Sequence, residues 1–335
     1  MSNIKDVAKL AGVSPSTVSR VLSESAFVEE KTKKKVLDAV TALNYMPDAL
    51  ARGLRKGRVN TIALMTPFKT GVFWPIAIEA AEFSAQKRGF SLLLGNSGTS
   101  VESELKMLRT LSAQSVSGII CMTTMIDVER YAAFQKESGI PVVVVNRNSH
   151  GLISSVSVDD DYLGYALAKY LLERGHRKIA CFFGDSQWDK VYARFRGVCR
   201  AMEAYDTQEY VPYVCFNVTD IDKAEQRAAE LLDRKDPPTA FLSTVDSMSA
   251  GVYRAIRKRG LRVPEDVSML GVDNNFIVKY CVPNLTTYMA SMEELMDKSM
   301  EIVMRGIQGD DTVQELALQG SFVERGSVAD LQAKL

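Results

Sequence analysis

The chain has little with which to build a metal or redox centre. Only 2 histidines occur in 335 residues, and the 5 cysteines, at positions 121, 181, 199, 215 and 281, never fall in a Cys-x-x-Cys spacing. An odd, scattered set of thiols argues against a disulfide framework or a zinc site and fits a reducing cytoplasm. No apolar run approaches the roughly 18 residues of a membrane helix. The opening Met1-Ser-Asn-Ile-Lys-Asp6 lacks the basic and apolar regions of a secretion signal. Catalytic signatures are missing too: there is no Gly-x-x-x-x-Gly-Lys-Ser/Thr loop, no His-Glu-x-x-His and no Gly-x-Ser-x-Gly. Scattered carboxylates alone do not make a hydrolase, so the sequence points away from an enzyme, and neither cofactor nor metal is expected.

Net charge is also lacking, since 41 basic residues balance 41 acidic ones. The zero hides an asymmetry. Residues 1–60 hold 11 Lys or Arg against 6 Asp or Glu, which leaves 30 basic and 35 acidic residues for the rest. A small basic head on an acidic body suggests a polyanion partner for the head alone. The composition, 46% hydrophobic and 24% charged, is that of a globular protein with room for a sizeable core. Its length favours more than one domain.

The head reads as three short helices. Asn3 is a good N-cap with Asp6 three residues on, and Ile4, Val7, Ala8 and Ala11 follow at helical spacing. Gly12 suits the left-handed residue that ends a helix, and Ser14-Pro15 starts the next one with Ser as cap and Pro first. Val18, Val21 and Leu22 share one face, while Ser16, Thr17, Ser19 and Arg20 project elsewhere. A third helix is expected from Glu30 to Leu43 on the stripe Val36, Ala39, Val40 and Leu43. Two short helices across a Gly turn form the helix-turn-helix pattern, and small polar groups with one Arg suit a major groove. Periodicity alone leaves a plain helical bundle equally open.

The residues themselves are more specific. Ile4-Lys-Asp-Val-Ala-Lys-Leu-Ala-Gly-Val-Ser-Pro-Ser-Thr-Val-Ser-Arg-Val-Leu22 resembles the opening of the lactose-repressor/galactose-repressor family, as does Asn44-Tyr-Met-Pro-Asp-Ala-Leu-Ala-Arg-Gly-Leu54. The resemblance implies a sequence-specific repressor of carbohydrate genes that binds double-stranded operator DNA as a homodimer, with no membrane role. It implies that Pro15, Ser16 and Arg20 face the operator. A proline side chain cannot hydrogen-bond a base, so Ser16 and Arg20 are expected to carry more of the reading, beside Ser14, with Thr17 and Ser19 mainly on phosphates. Residues 47–59 are expected to form a hinge, marginal as a helix by itself because Gly53 weakens it. In the resembled family that hinge orders on DNA, and the match at Leu54 implies an apolar wedge in the minor groove.

From residue 60 onward, apolar runs alternate with helical stretches. Strands are expected at 61–66, 90–95, 118–122, 141–145, 178–183, 211–216, 239–243 and 267–272. Helices are expected near 75–88, 102–114, 162–174, 192–205, 222–234 and 246–259, followed by a helix at 293–308 and a late strand near 315–325. Such alternation implies parallel sheets covered on both faces. The fold class is therefore an all-α helix-turn-helix head (1–46) plus an α/β body (60–335). The body is read as two doubly wound parallel-sheet lobes, the first about 60–158 and 290–318, the second about 159–289 and 319–328. The body also resembles the same family, whose core is of periplasmic-binding-protein type. Matching segments are Glu173-Arg-Gly-His-Arg-Lys-Ile179, Arg194-Phe-Arg-Gly197, Gly260-Leu-Arg-Val-Pro-Glu-Asp-Val-Ser-Met-Leu-Gly-Val-Asp-Asn274 and Phe322-Val-Glu-Arg-Gly-Ser327.

That resemblance implies a small effector between the lobes. Arg194 and Asp273 are the leading candidates to hold it, with Asp159 at the crossover third. Phe73 and Trp74 stand where relatives place effector contacts, and Trp188 follows the strand at 178–183. Lys190, one turn before Arg194, adds positive charge and suggests a sugar acid or sugar phosphate in place of a neutral sugar. Val245 replaces a usual Asn, and the segment 288–292 is expected to line the pocket differently. His176 reads as a turn residue without a functional role. The short tail after Arg325 has no sustained heptads, which favours a dimer over a coiled-coil tetramer.

Overall fold

The computed structural model describes residues 3–23, 27–45, 59–67, 73–122, 125–186, 188–207 and 213–332, in two units divided after Asn60. The first unit holds α1 (Ile4–Ala11), α2 (Pro15–Ser23) and α3 (Glu30–Ala42). Asn3 and Asp6 form a capping box, the Asn3 carboxamide accepting from the Lys5 and Asp6 amides while Asp6 accepts from the Asn3 N–H. Gly12 takes φ +67, which glycine adopts without steric cost, and ends α1. Val7, Val18 and Val36 come one from each helix and are fully buried together with Ala8, Ala11, Val21 and Ala39 at or near full burial. Most of the expected hinge, including Leu54, lies outside the described residues.

The second unit begins with β1 (Val59–Thr66), α4 (Phe73–Gln86), β2 (Ser91–Asn96), α5 (Val101–Ala113), β3 (Val116–Cys121), α6 (Val128–Ser138), β4 (Val142–Val145) and β5 (Ser155–Val158). It continues with α7 (Asp160–Glu173), β6 (Ile179–Phe182), α8 (Asp189–Ala204), β7 (Val214–Cys215), α9 (Ile221–Leu232), β8 (Ala240–Ser243), α10 (Asp246–Lys258) and β9 (Ser268–Val272). After a 3-10 turn at Phe276–Lys279 come β10 (Thr286–Met289), α11 (Met292–Ile307), β11 (Glu315–Leu318) and β12 (Ser321–Val323).

These strands make two six-stranded sheets, ordered β11-β5-β4-β3-β1-β2 and β12-β10-β9-β8-β6-β7. Pairing is parallel in β1–β2, β3–β4, β4–β5 and β5–β11, and in β6–β7, β6–β8, β8–β9 and β9–β10. Only the last strand, β12, runs antiparallel to its neighbour β10 among the ladders described. Successive side chains of a strand point to opposite faces, and each sheet uses both. Ile62 and Leu64 enter one core while Ala63 and Met65 enter another. In the second sheet, Ile179 and Cys181 part from Ala180 and Phe182 in the same way.

The chain passes between the sheets at 159, at 290–291 and at 319–320. These crossings are tied together: the Asp159 N–H donates to the Leu318 carbonyl at 2.9 Å, and the Gly320 N–H donates to the Tyr288 hydroxyl at 2.6 Å. Four features differ from the sequence reading. α6, β5 and β10 stand where no element was expected. The single late strand near 315–325 is two strands belonging to different sheets. They part at Gly320, where a Cβ would lie 2.2 Å from the Met289 carbonyl oxygen, so only glycine lets the chain cross so closely there.

Candidate functional site

In the first unit, α2 presents the residues singled out for DNA. Ser14 caps it, its Oγ accepting from the Thr17 N–H at 3.1 Å, and the hydroxyls of Ser16 and Thr17 lie 2.7 and 2.9 Å from that oxygen. Ser14, Pro15, Ser16 and Arg20 are exposed, while Thr17 and Ser19 are half-buried. Val18 and Val21 anchor the opposite face. The helix therefore offers a short polar ridge ending in a guanidinium, which can meet phosphates and base edges.

In the second unit, polar and aromatic groups gather where the strands of the second sheet end. Phe183 follows β6, Phe216 follows β7, Thr244 follows β8 and Asp273 follows β9. The carboxyl ends of parallel strands are where open α/β sheets bind ligands. Arg194 joins this set from α8 because α7 and α8 approach unusually closely. A Cβ at Gly164 would lie 1.9 Å from the Arg194 carbonyl oxygen, and one at Gly197 would lie 2.0 Å from that of Asp161.

This close packing brings Arg194 to the first turn of α7. Its Nε donates to Asp160 Oδ1 at 2.7 Å and its Nη1 to the Thr244 carbonyl at 2.8 Å. Both partners of the pair are largely buried, at 14% and 17% side-chain exposure. Desolvation opposes the guanidinium charge, but Asp160 and Asp273 more than offset it and raise Arg194 above its ordinary value. Among the described residues nothing accepts from Arg194 Nη2. One side of the fork is thus fixed by protein, and the other has no partner among the described residues.

Asp273 supplies the complementary group. Its backbone is held at φ +102, its N–H donates to the Tyr288 carbonyl at 2.9 Å, and the residue as a whole is exposed. Desolvation by the surrounding protein pushes its carboxyl up to about 6, against the pull of Arg194 and Lys190. Arg194 and Lys190 therefore face Asp160 and Asp273, two cations against two carboxylates. Beside them lies an aromatic cluster, in which Phe216 stacks on Phe183 at 5.2 Å and meets Phe195 edge-on at 5.2 Å. Tyr192, exposed, tilts against Phe216 at 5.9 Å.

The remaining sequence candidates are placed as follows. Lys190 is exposed one turn before Arg194. Asp159 caps α7, its Oδ1 accepting from the Tyr162 N–H at 2.9 Å, so one carboxylate oxygen is already engaged. Trp188 is half-buried at the start of α8 and packs on the second-sheet core. Phe73 and Trp74 meet edge-on at 5.1 Å and rest on the first-sheet core. The segment expected at the pocket turns inward at Tyr288, which is buried and lies 5.2 Å from Phe322. His176 is a buried tether, hydrogen-bonded to Thr239 at 2.9 Å and to the Ala329 carbonyl at 3.3 Å.

Sequence reasoning missed Asp160, Phe216 and Tyr192. Asp160 sits in the run Asp159-Asp160-Asp161 at a helix start, where acids are common for the sake of the helix dipole, so nothing local marked it out.

A helix-turn-helix unit joined to paired parallel sheets with a polar cluster at the strand ends defines a two-lobed, ligand-responsive DNA-binding regulator. The comparisons agree. Residues 3–48 match the model of bacterial regulatory proteins of the lacI family, and residues 168–328 match a periplasmic binding protein-like domain. The chain is 32% identical over 334 residues to the HTH-type transcriptional repressor PurR of Vibrio atlanticus, covering 99% of this chain and 100% of that one. It is 31% identical to the protein of the same name from Serratia proteamaculans, covering 98% of each. Among solved structures, the Lac repressor dimer bound to operator and the anti-inducer ONPF superposes with a TM-score of 0.85 at 27% identity, covering 98% and 99% of the two chains. A regulator from Enterococcus faecium with bound ribose gives a TM-score of 0.69 at 27% identity, covering 81% and 99%. The chain belongs to the lacI family of transcriptional regulators.

Proposed function

We propose that the protein is a cytoplasmic repressor of carbohydrate-utilisation genes that binds a pseudo-palindromic operator as a homodimer and responds to a small neutral effector between its lobes. Relatives described as repressors, and a neighbour described as a dimer on operator DNA, support the first part. The two-fold symmetry of such a dimer would match that of the operator half-sites. Ser14, Pro15, Ser16, Thr17, Ser19 and Arg20 are assigned to DNA, together with Leu54 as the minor-groove wedge.

The effector reading rests on the open donor of Arg194 beside the open acceptor of Asp273. Such a pair suits adjacent hydroxyls, and polar groups of fixed geometry give selectivity. The two-against-two charge balance favours a neutral sugar over a sugar acid or phosphate, because Lys190 brings no surplus. Phe216 and Tyr192 offer apolar faces to a sugar ring, and they would equally stack a flat nucleobase. Asp159, Trp188, Phe73 and Trp74 complete the assigned wall. Effector binding shifts the lobes and hence the order of the hinge, with release from DNA as the expected response. The coupling is of the usual size, about 1–3 kcal/mol.

A thermal-shift screen of neutral sugars, sugar acids, sugar phosphates and nucleobases tests this, since a cleft ligand raises stability by mass action. Stabilisation by neutral compounds is expected. Stabilisation by phosphorylated sugars alone would overturn the charge argument.

A further inference from the structure

Asp246 is a fully buried carboxyl that the site as assigned does not use. It opens α10 and reaches beneath the loop that follows β9. The Thr287 hydroxyl donates to its Oδ1 at 2.9 Å, and the Asn275 N–H donates to its Oδ2 at 3.0 Å. A Cβ at Gly271 would lie 2.2 Å from Oδ1, so glycine is what lets the carboxyl tuck under β9.

The loop it supports is strained. Asp273 has φ +102 and Asn274 has φ +50, in the left-handed half of the map. Non-glycine residues adopt such angles at a cost and persist there only where their surroundings hold them. The clamps are visible. Asn274 N–H donates to Thr287 Oγ1 at 3.3 Å, and Arg325 Nη2 donates to Asn274 Oδ1 at 2.7 Å. Asp246 holds the third side, and it touches both the loop and β10.

We propose that Asp246 is a positioning residue for the effector site: by bonding the Asn275 amide and the Thr287 hydroxyl together, it fixes the strained turn that aims Asp273 at the ligand. The inference rests on the assignment of Asp273 to the effector made above. Burial, then the nearby Asp273 charge, holds the Asp246 carboxyl up to about 8. It is therefore mostly protonated at pH 7, while it accepts from the Thr287 hydroxyl and from the Asn275 and Val272 amides. Facing it are Asp273 from the β9 loop, Cys281 from beyond the 3-10 turn, Thr287 from β10 and the Val272 and Asn275 amides, none of them cationic. Ionisation above pH 8 places a second negative charge behind Asp273, and the repulsion between the two carboxylates, which Arg194 and Lys190 must then offset together, displaces Asp273 from its aim.

The test uses the full chain in calorimetric titrations at pH 7 and pH 9 with D-ribose, D-glucose, cellobiose and the common free nucleobases. Wild-type affinity for the tightest binder is expected to fall about tenfold from pH 7 to pH 9. Asp246→Asn is the neutral isostere of the protonated acid, so it keeps the pH 7 affinity and loses the fall at pH 9. Thr287→Val, which keeps the shape of the side chain, weakens binding about tenfold at pH 7, the typical worth of a hydrogen bond to a buried polar group. An unaltered pH profile in Asp246→Asn, or wild-type binding by Thr287→Val, overturns the inference. Wild-type binding by Arg194→Lys would instead overturn the effector-site reading. Failure of every compound to bind the wild type overturns the neutral-effector reading, and the inference with it.

Discussion

Arg194 Nε and Asp160 Oδ1 are 2.7 Å apart, joining the second turn of α8 to the first residue of α7. The pair uses one edge of the guanidinium for structure and leaves Nη2 without a partner among the described residues. Arg194→Lys keeps the charge but loses the fork, since an ammonium cannot bond Asp160, Thr244 and a ligand in one plane. Effector affinity is expected to fall by about tenfold to a hundredfold, or 1.4 to 2.7 kcal/mol, in a calorimetric titration. Operator affinity without effector should stay unchanged.

Effector binding should weaken in acid. The Asp273 carboxyl titrates near 6, so lowering the pH through that value protonates it and removes a charged acceptor from the pocket. Titrations from pH 7.5 to 5 should show affinity falling with a midpoint near 6. Asp273→Asn, already neutral, should bind weakly with a flat profile.

The close approach of α7 and α8 should be intolerant of a methyl group. Gly197→Ala puts a Cβ 2.0 Å from the Asp161 carbonyl oxygen, against backbone that cannot swing aside. Overpacking of this kind costs about 1–3 kcal/mol, readable in urea unfolding. Because the same approach brings Arg194 to Asp160, effector affinity should fall together with stability.

His176 should steepen acid unfolding. Burial holds its imidazole down to about 4, with the hydrogen bond to the Ala329 carbonyl working the other way. An unfolded histidine takes a proton near 6.5. The folded state gains from a neutral ring above that value and loses the gain as pH falls from about 6.5 to 4. The slope is at most about 1.4 kcal/mol per pH unit. Urea melts of His176→Gln should show a shallower loss of stability across that window than the wild type.

On the DNA side, Arg20→Ala should weaken operator binding about tenfold or more and flatten the salt dependence, since a cation withdrawn from one phosphate reduces the slope by about one. Anisotropy titrations at several salt concentrations measure both. Leu54→Ala should leave more affinity and lessen the bend seen in gel mobility, as expected when an apolar wedge is removed.

Much of the fold was legible because buried parallel strands advertise themselves. Val142–Val145 and Ile179–Phe182 are apolar runs that leave little choice. What escaped was written in weaker residues. β10 is Thr-Thr-Tyr-Met and β5 is Ser-Val-Ser-Val, each short and stabilised by its neighbours more than by its own composition. In α6 only Val128 and Tyr131 are buried, too few to print a helical stripe. The break at Gly320 depends on how near Met289 comes, which no local pattern encodes. The site divides the same way. Arg194 and Asp273 stood out through motifs, whereas Asp160 and Asp246 owe their places to helix packing and a loop crossing over them. Tyr288, expected at the pocket, is drawn into the core because its ring finds Phe322 and its hydroxyl finds the Gly320 amide.

The most direct test is operator affinity measured by fluorescence anisotropy with and without the saturating effector found by the stability screen. The duplex would be one selected from a random pool. The account predicts that effector lowers operator affinity at least about fivefold, the lower end of ordinary allosteric coupling, and that Arg194→Lys abolishes this change while binding the same duplex as the wild type. Equal binding to selected and random duplexes, with or without effector, would contradict it.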